Sequence, residues 1–189
     1  MFPLVVDLRG RRVVVIGAGH VGAHKAAQLL LAGARVTIIT DVVIAPLPDG
    51  VATVVLRPYQ HGDLSGAFLA VAATGSGEVN DLIVAEAAER NILLNVVDDS
   101  GRSNFFFTAV HRDGDVLVSV STEGASPALA QWVRNTIASV LPKNLAGVAR
   151  RLREERVALH AAGQSTENRP WMARVQELLD EGDGLPVEP

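Results

Sequence analysis

The stretch Arg12-Val13-Val14-Val15-Ile16-Gly17-Ala18-Gly19-His20-Val21-Gly22, running on through Ala23-His24-Lys25-Ala26-Ala27-Gln28-Leu29-Leu30-Leu31, decides the fold. Its apolar opening, Arg12 to Ile16, is continuous and β-branched, as a central parallel strand buried on both faces requires. Three glycines in the pattern G-x-G-x-x-G follow at once. The Ala- and Leu-rich segment beyond them reads as a helix to about Leu31, stopped by Gly33 near a C-cap position. In that strand–loop–helix setting each glycine has a task. Gly17 permits the tight turn, Gly19 lets the backbone approach a pyrophosphate, and Gly22 allows close helix–strand packing. The helix N-terminus adds free N–H groups and a positive dipole end. The expectation is a dinucleotide-binding Rossmann domain, with His20 and Val21 of the loop among the cofactor contacts.

Outward from the loop, Arg35 to Thr40 reads as a second strand. Asp41, 19 residues after Gly22, is placed to bind the adenosine ribose, a residue or two beyond the strand end, with Val42 beside it. A carboxylate there repels a 2′-phosphate, so NAD is expected over NADP. Arg35, at the opposite end of that strand, is no ligand for such a phosphate. Val51 to Leu56 is a third strand, after the loop punctuated by Pro46, Pro48 and Gly50. Ala67 to Ala73 is a fourth, with Thr74 at its end as a further cofactor contact. Glu78 to Arg90 is a helix with Leu82, Ile83, Ala87 and Ala88 among its apolar positions, and Asn91 to Val97 a fifth strand. Strands alternating with helices describe an open parallel α/β sheet.

After Asp98 the rhythm changes. Asn104 to Val110 and Asp115 to Ser121 are strand-like and flank Arg112-Asp113-Gly114, a hairpin signal. Ser126-Pro127 is an N-cap and first-turn pair, opening a helix that Pro142 ends. Leu129, Trp132, Val133, Thr136, Ile137 and Val140 recur along it at spacings of three and four, with bulk enough to pack against a partner subunit. Leu145 to Leu179 reads as two helices broken near Gly163 to Pro170, and Glu181 to Pro189 as a loose tail. The fold class is therefore α/β: a Rossmann parallel sheet over 1–104, a small α+β dimerisation region over 105–142, and a C-terminal helical domain over 143–189.

A chain of 189 residues holds one dinucleotide-binding domain and a smaller partner. Cysteine is absent, which excludes disulfides, a thiol nucleophile and thiolate-held metal, and fits a reducing, cytoplasmic compartment. The N-terminus lacks the basic start and apolar run of a signal peptide, and no run of about 18 apolar residues spans a membrane. A net charge of -4 without a basic block gives no reason to expect nucleic acid. His20 and His24 share a helix face, but no further ligand is fixed by spacing, and no metal site is expected. His61, His111 and His160 are isolated.

Asp98 follows the fifth strand directly, at the sheet edge where open α/β folds bind ligands. Asp98-Asp99-Ser100-Gly101 is equally the composition of a plain turn. Several further groups bear on it: Pro3-Leu4, Asp7-Leu8-Arg9-Gly10, the glycine loop with Lys25, Ala72-Ala73-Thr74 with Asn80, Asn95-Val96-Val97-Asp98-Asp99, and Ser119-Val120-Ser121-Thr122 leading to Ser126-Pro127-Ala128-Leu129-Ala130. In these, from Phe2 to about Arg153, the chain resembles the precorrin-2 dehydrogenase family, the NAD-dependent part of siroheme synthase. The resemblance implies a homodimer that oxidises precorrin-2 to sirohydrochlorin, with Asp98 as the key catalytic group. The chain ends without a methyltransferase domain, as expected of the stand-alone form.

Some family members also insert ferrous iron, so a bifunctional dehydrogenase and ferrochelatase is one alternative. A regulatory module that binds NAD without chemistry is another. Thr122 falls where bacterial relatives carry a serine in a cleft-facing loop. Thr122, Ser121 and Arg102 are candidates for contacting the tetrapyrrole; hydroxyls closing a strand-to-helix loop and a solvated charge are the competing readings. Lys25 and Arg112 are weighed in the same way against the substrate's carboxylates. Two departures stand out. Gly75-Ser76-Gly77 replaces the usual acidic residues, and Glu123 replaces the usual glycine.

Overall fold

The apolar run becomes β1 (Arg12–Ala18), whose Val13, Val14 and Val15 are fully buried. It lies between β2 (Arg35–Val43) and β4 (Leu69–Ala72), and β3 (Thr53–Leu56) and β5 (Leu93–Val96) flank these in turn. The parallel order is β3-β2-β1-β4-β5. Alternation of side chains sends Val13 and Val15 to one face and Val14 and Ile16 to the other, each into its own core. The computed structural model describes residues 1–167 and 169–182, and the chain divides into two units, Met1–Phe107 and Thr108–Pro189.

Helix α1 (His20–Leu31) buries Ala26 and Leu29 against Val13, Val15, Val36 and Val71. It ends in a Schellman motif. Gly33, at φ +79, donates to the Leu30 carbonyl (2.8 Å) and Ala34 to that of Leu29 (3.1 Å). On the opposite face α2 (Gly77–Glu89) buries Asn80, Ile83, Glu86 and Ala87. The expected apolar positions are thus half right, because Leu82 and Ala88 point to solvent while a carboxylate takes a core position.

The strict alternation of strands and helices does not hold. No helix joins β2 to β3 or β3 to β4. The turn 57–68 covers the sheet in place of a crossover helix by inserting Tyr59 and Leu64 into the core. Glu86, fully buried, makes this possible. It accepts from the Tyr59 hydroxyl, the amides of Gly62 (2.8 Å) and Leu64 (3.2 Å), and Arg90 Nε (2.8 Å).

The strand expected from Asn104 begins only at Ala109, as β6 (Ala109–Asp113). Residues 103–105 instead strap the free edge of β5, where side chains replace ladder bonds. Asn104 Oδ1 accepts from the Leu94 amide (2.7 Å), Asn104 Nδ2 donates to the Ile92 carbonyl (3.1 Å), and Asn95 Nδ2 donates to that of Phe105 (3.1 Å). The strap removes an exposed sheet edge.

In the second unit β6 pairs antiparallel with β7 (Val116–Val120) around Gly114. Helix α3 (Pro127–Val140) packs on this hairpin, its first turn capped by Ser126 Oγ accepting from the Leu129 amide (3.2 Å). Helices α4 (Leu145–Ala161) and α5 (Trp171–Gly182) follow, tied by Arg174 to Glu155 at 2.6 Å. The expected tail is corrected at its start. Glu181 belongs to α5, held by Arg151 at 2.6 Å; residues 183–189 lie outside the described residues.

Candidate functional site

The strand order reverses between β1 and β4, and a cleft of about 320 Å³ opens at their carboxyl ends. Gly19, His20, Val21, Gly22, Ala73, Thr74, Gly75, Val97 and Asp98 line it. A crevice at such a switch point is where open α/β sheets hold nucleotides.

The three glycines act as their spacing requires. Gly17 turns at φ +99, and a Cβ there would run into the Ala73 carbonyl. A Cβ on Gly22 would strike the Gly17 carbonyl oxygen. Gly19 has an ordinary φ of -78, and a Cβ built on it meets nothing within 4 Å. Its space is open, which is what a diphosphate lying against the backbone needs. The N-cap of α1 makes no side-chain bond and no acid stands in its first turn, so the first amides of the helix keep their donors for an anion. By contrast α2 and α3 are capped by Ser76 and Ser126. The residues present therefore fit a dinucleotide.

Thr74 donates from Oγ1 to Asn80 Oδ1 (2.7 Å), which fixes the end of β4 to α2. Asp41 lies within β2, not beyond it, because the strand runs on to Val43. The β1–β2 register jumps from Ile16↔Ile39 to Ala18↔Val43, so Thr40, Asp41 and Val42 bulge past Gly17. Asp41 and Val42 are exposed there, outside the residues lining the cleft.

Asp98 lies in the cleft wall, exposed and left-handed at φ +59. Asp99 and Arg102, its neighbours in the turn, form a cluster the sequence reading did not anticipate. Arg102 Nε donates to Asp99 Oδ2 (2.6 Å) and Nη1 to Asp81 Oδ1 on α2 (2.6 Å). The hydrogen bonds from Arg102 hold the Asp99 carboxyl below its ordinary pKa, and the same pairing raises that of Arg102. A guanidinium shared by two carboxylates is no solvated charge.

In the second unit Thr122 and Ser121 close the loop into α3. Thr122 Oγ1 accepts from the Ser126 amide (3.1 Å) and donates to its carbonyl (3.0 Å), while Ser121 Oγ accepts from the Glu123 amide (3.1 Å). Glu123 has φ +54, the left-handed conformation glycine favours. Lys25 lies with Nζ 3.9 Å from the centroid of the Phe107 ring, half-buried, and burial lowers its pKa. Arg112 is exposed and donates to the Gly114 carbonyl (3.4 Å). Among the described residues no group of three His, Asp or Glu could hold a metal, and no helix is long and apolar enough to cross a membrane.

An NAD(P)-binding family model matches residues 4–109, and a model for the central part of sirohaem biosynthesis proteins matches 113–139. Siroheme synthase of Photorhabdus laumondii is 36% identical over 153 residues, covering 78% of this chain and 32% of that protein. Siroheme synthase 2 of Aeromonas salmonicida is 35% identical over 148 residues, covering 77% and 31%. The chain thus spans about a third of the length of these relatives. Among solved structures, SirC, a precorrin-2 dehydrogenase, superposes with a TM-score of 0.72 at 26% identity, covering 96% of this chain and 88% of that one.

Proposed function

This chain belongs to the NAD(P)-binding family it shares with siroheme synthases and a precorrin-2 dehydrogenase, and from that membership we propose that it oxidises precorrin-2 to sirohydrochlorin, with NAD as the oxidant, in siroheme biosynthesis. The observation that carries this reading is the Asp98 carboxylate lining the same cleft as the glycine loop. The reaction removes one hydride and one proton from the substrate. Bound NAD would accept the hydride, becoming NADH. The remaining work falls to the chain. Gly17, Gly19 and Gly22 and the backbone amides of the first turn of α1 hold the diphosphate, flanked by His20, Val21 and Thr74. Asp41, with Val42 beside it, receives the ribose hydroxyls and disfavours a 2′-phosphate. Asp98 orients or takes the proton released as the hydride leaves. Ser121 and Thr122 offer hydroxyls to the tetrapyrrole. The same reading includes a homodimer and a cytoplasmic location.

Purified protein mixed with precorrin-2 and NAD is expected to generate NADH, followed by absorbance, faster than with NADP. No NADH above a blank removes the reading. Asp98→Ala should lower turnover by about 100-fold or more with NAD affinity unchanged. Loss of NAD binding in that variant would assign Asp98 a structural role instead.

A further inference from the structure

The turn that carries Asp98 is built more heavily than its length requires. Asp98 is one of four non-glycine residues with positive φ among the described residues, a conformation that persists only where the surroundings impose it. Asp99 donates its amide to the Val96 carbonyl (3.1 Å), and Ser103 Oγ accepts from the Val96 amide (2.9 Å) and donates to the Asp99 carbonyl (2.7 Å). These bonds close the turn on itself and on β5. The Val97 amide ties the turn to β4 at the Ala72 carbonyl (2.9 Å), and the Arg102 guanidinium ties it to α2, gripping Asp99 Oδ2 within the turn and Asp81 Oδ1 on the first turns of α2, both at 2.6 Å. The Arg102 backbone amide adds a second hold on Asp99, at 3.0 Å to Oδ1.

The start of α2 is itself part of the cleft's frame. Asn80, next to Asp81, receives the bond from Thr74, a lining residue. Asp81 and Asn80 thus connect the two sides of the crevice, one to the Asp98 turn and one to the end of β4.

We propose that Arg102 is a positioning residue: by bridging Asp99 and Asp81 it ties the Asp98 turn to α2 and holds the Asp98 carboxylate at the cleft. This rests on the reading of Asp98 as the group that handles the substrate proton. The geometry is selective between two tasks for Arg102. An arginine that captured substrate carboxylates would need its donors free, whereas here Nε and Nη1 are engaged by the protein's own carboxylates. A reacting group displaced by about 1 Å loses about 100-fold in rate, so a linkage of this kind acts on turnover and not on cofactor affinity.

Asp81→Asn tests it first, because Asp81 is 72% exposed and its loss leaves the core intact. Precorrin-2 turnover with NAD and amide hydrogen exchange of residues 97–103 are measured together. The expected result is faster exchange in that turn, kcat lower by about 10- to 100-fold, and unchanged KM for NAD. Arg102→Ala should do the same, Arg102→Lys should recover part of the loss, and the Arg102→Ala, Asp81→Asn double variant should be no slower than Arg102→Ala alone. A lower KM for precorrin-2 in Asp81→Asn with kcat intact would show that Arg102 binds substrate, and overturns the proposal. So does unaltered exchange in the 97–103 turn. A wild-type protein that forms no NADH overturns the dehydrogenase reading itself, and the exchange data then stand apart from it.

Discussion

Gly19 and Gly22 occupy one loop three residues apart and answer to different forces. Gly22 has no room, since a Cβ would meet the Gly17 carbonyl oxygen, which is backbone and cannot swing aside. Gly19 has room, in an unstrained conformation, on the cleft side. Gly22→Ala should therefore lower folding stability by about 1–3 kcal/mol, read as a fall in the thermal or urea midpoint. Gly19→Ala should cost about 1 kcal/mol or less, the difference between glycine and alanine at an N-cap, while weakening NAD at least about tenfold, equivalent to about 1.4 kcal/mol. Titration with NAD and a melting curve separate the two. Equal effects of both substitutions on stability and binding would sink the assignment of roles. These roles were legible in the sequence because they are set within a few residues of backbone. The Arg102 bridge between Asp99 and Asp81 was not. Arg102 and Asp81 are 21 residues apart, and nothing in either neighbourhood announces the other.

Helix α2 shows where periodicity misleads. Leu82 and Ala88 looked like core positions, yet the buried stripe runs Asn80, Ile83, Glu86, Ala87. A charged residue on the buried stripe hides it from a hydrophobic pattern. The reason lies in the missing crossover helix. With a turn over that part of the sheet, buried amides and a hydroxyl need an acceptor, and Glu86 supplies it. Burial alone would raise the Glu86 pKa, but the hydrogen bonds from Tyr59, the Gly62 amide and Arg90 outweigh it and hold the carboxyl below its ordinary value of 4.5. A folded-state pKa below the unfolded one contributes stability that is present above about pH 4.5 and is lost as pH falls through the folded value. Glu86→Gln should flatten this acid limb of the urea midpoint against pH. Glu86→Ala, which strands Tyr59 and two amides, should cost about 3 kcal/mol or more at neutral pH. A variant as stable as wild type would show that water or another group satisfies these donors. The strands were legible because β1, β2 and β4 are apolar on both faces. The turn 57–68 was not, because its two core side chains, Tyr59 and Leu64, follow no helix or strand period.

At the scale of the whole molecule the question is how many copies work together, and α3 carries the argument. Sequence spacing placed Leu129, Trp132, Val133, Thr136, Ile137 and Val140 on one stripe, and the helix divides them. Val133 and Ile137 turn inward beside Ala130, and Thr136 is exposed, whereas Leu129, Trp132 and Val140 are 50%, 64% and 76% exposed. The outward set recurs at spacings of three, then eight, along one side of a helix, and a tryptophan in its middle is the residue type most favoured as a buried anchor between chains. The homodimer of the proposed function would cover this side of α3 with its counterpart in the second copy. In a two-fold interface each substitution is present twice, so removing about 2 kcal/mol of apolar burial per copy amounts to about 4 kcal/mol, or about three powers of ten in the dimer dissociation constant. Trp132→Asp should thus convert a dimer at micromolar concentration into a monomer by sedimentation, with the first unit's NAD affinity retained because its loop and helix lie within residues 1–107. Should the wild-type chain sediment as a monomer, or the variant remain a dimer, the outward face of α3 is not where copies meet.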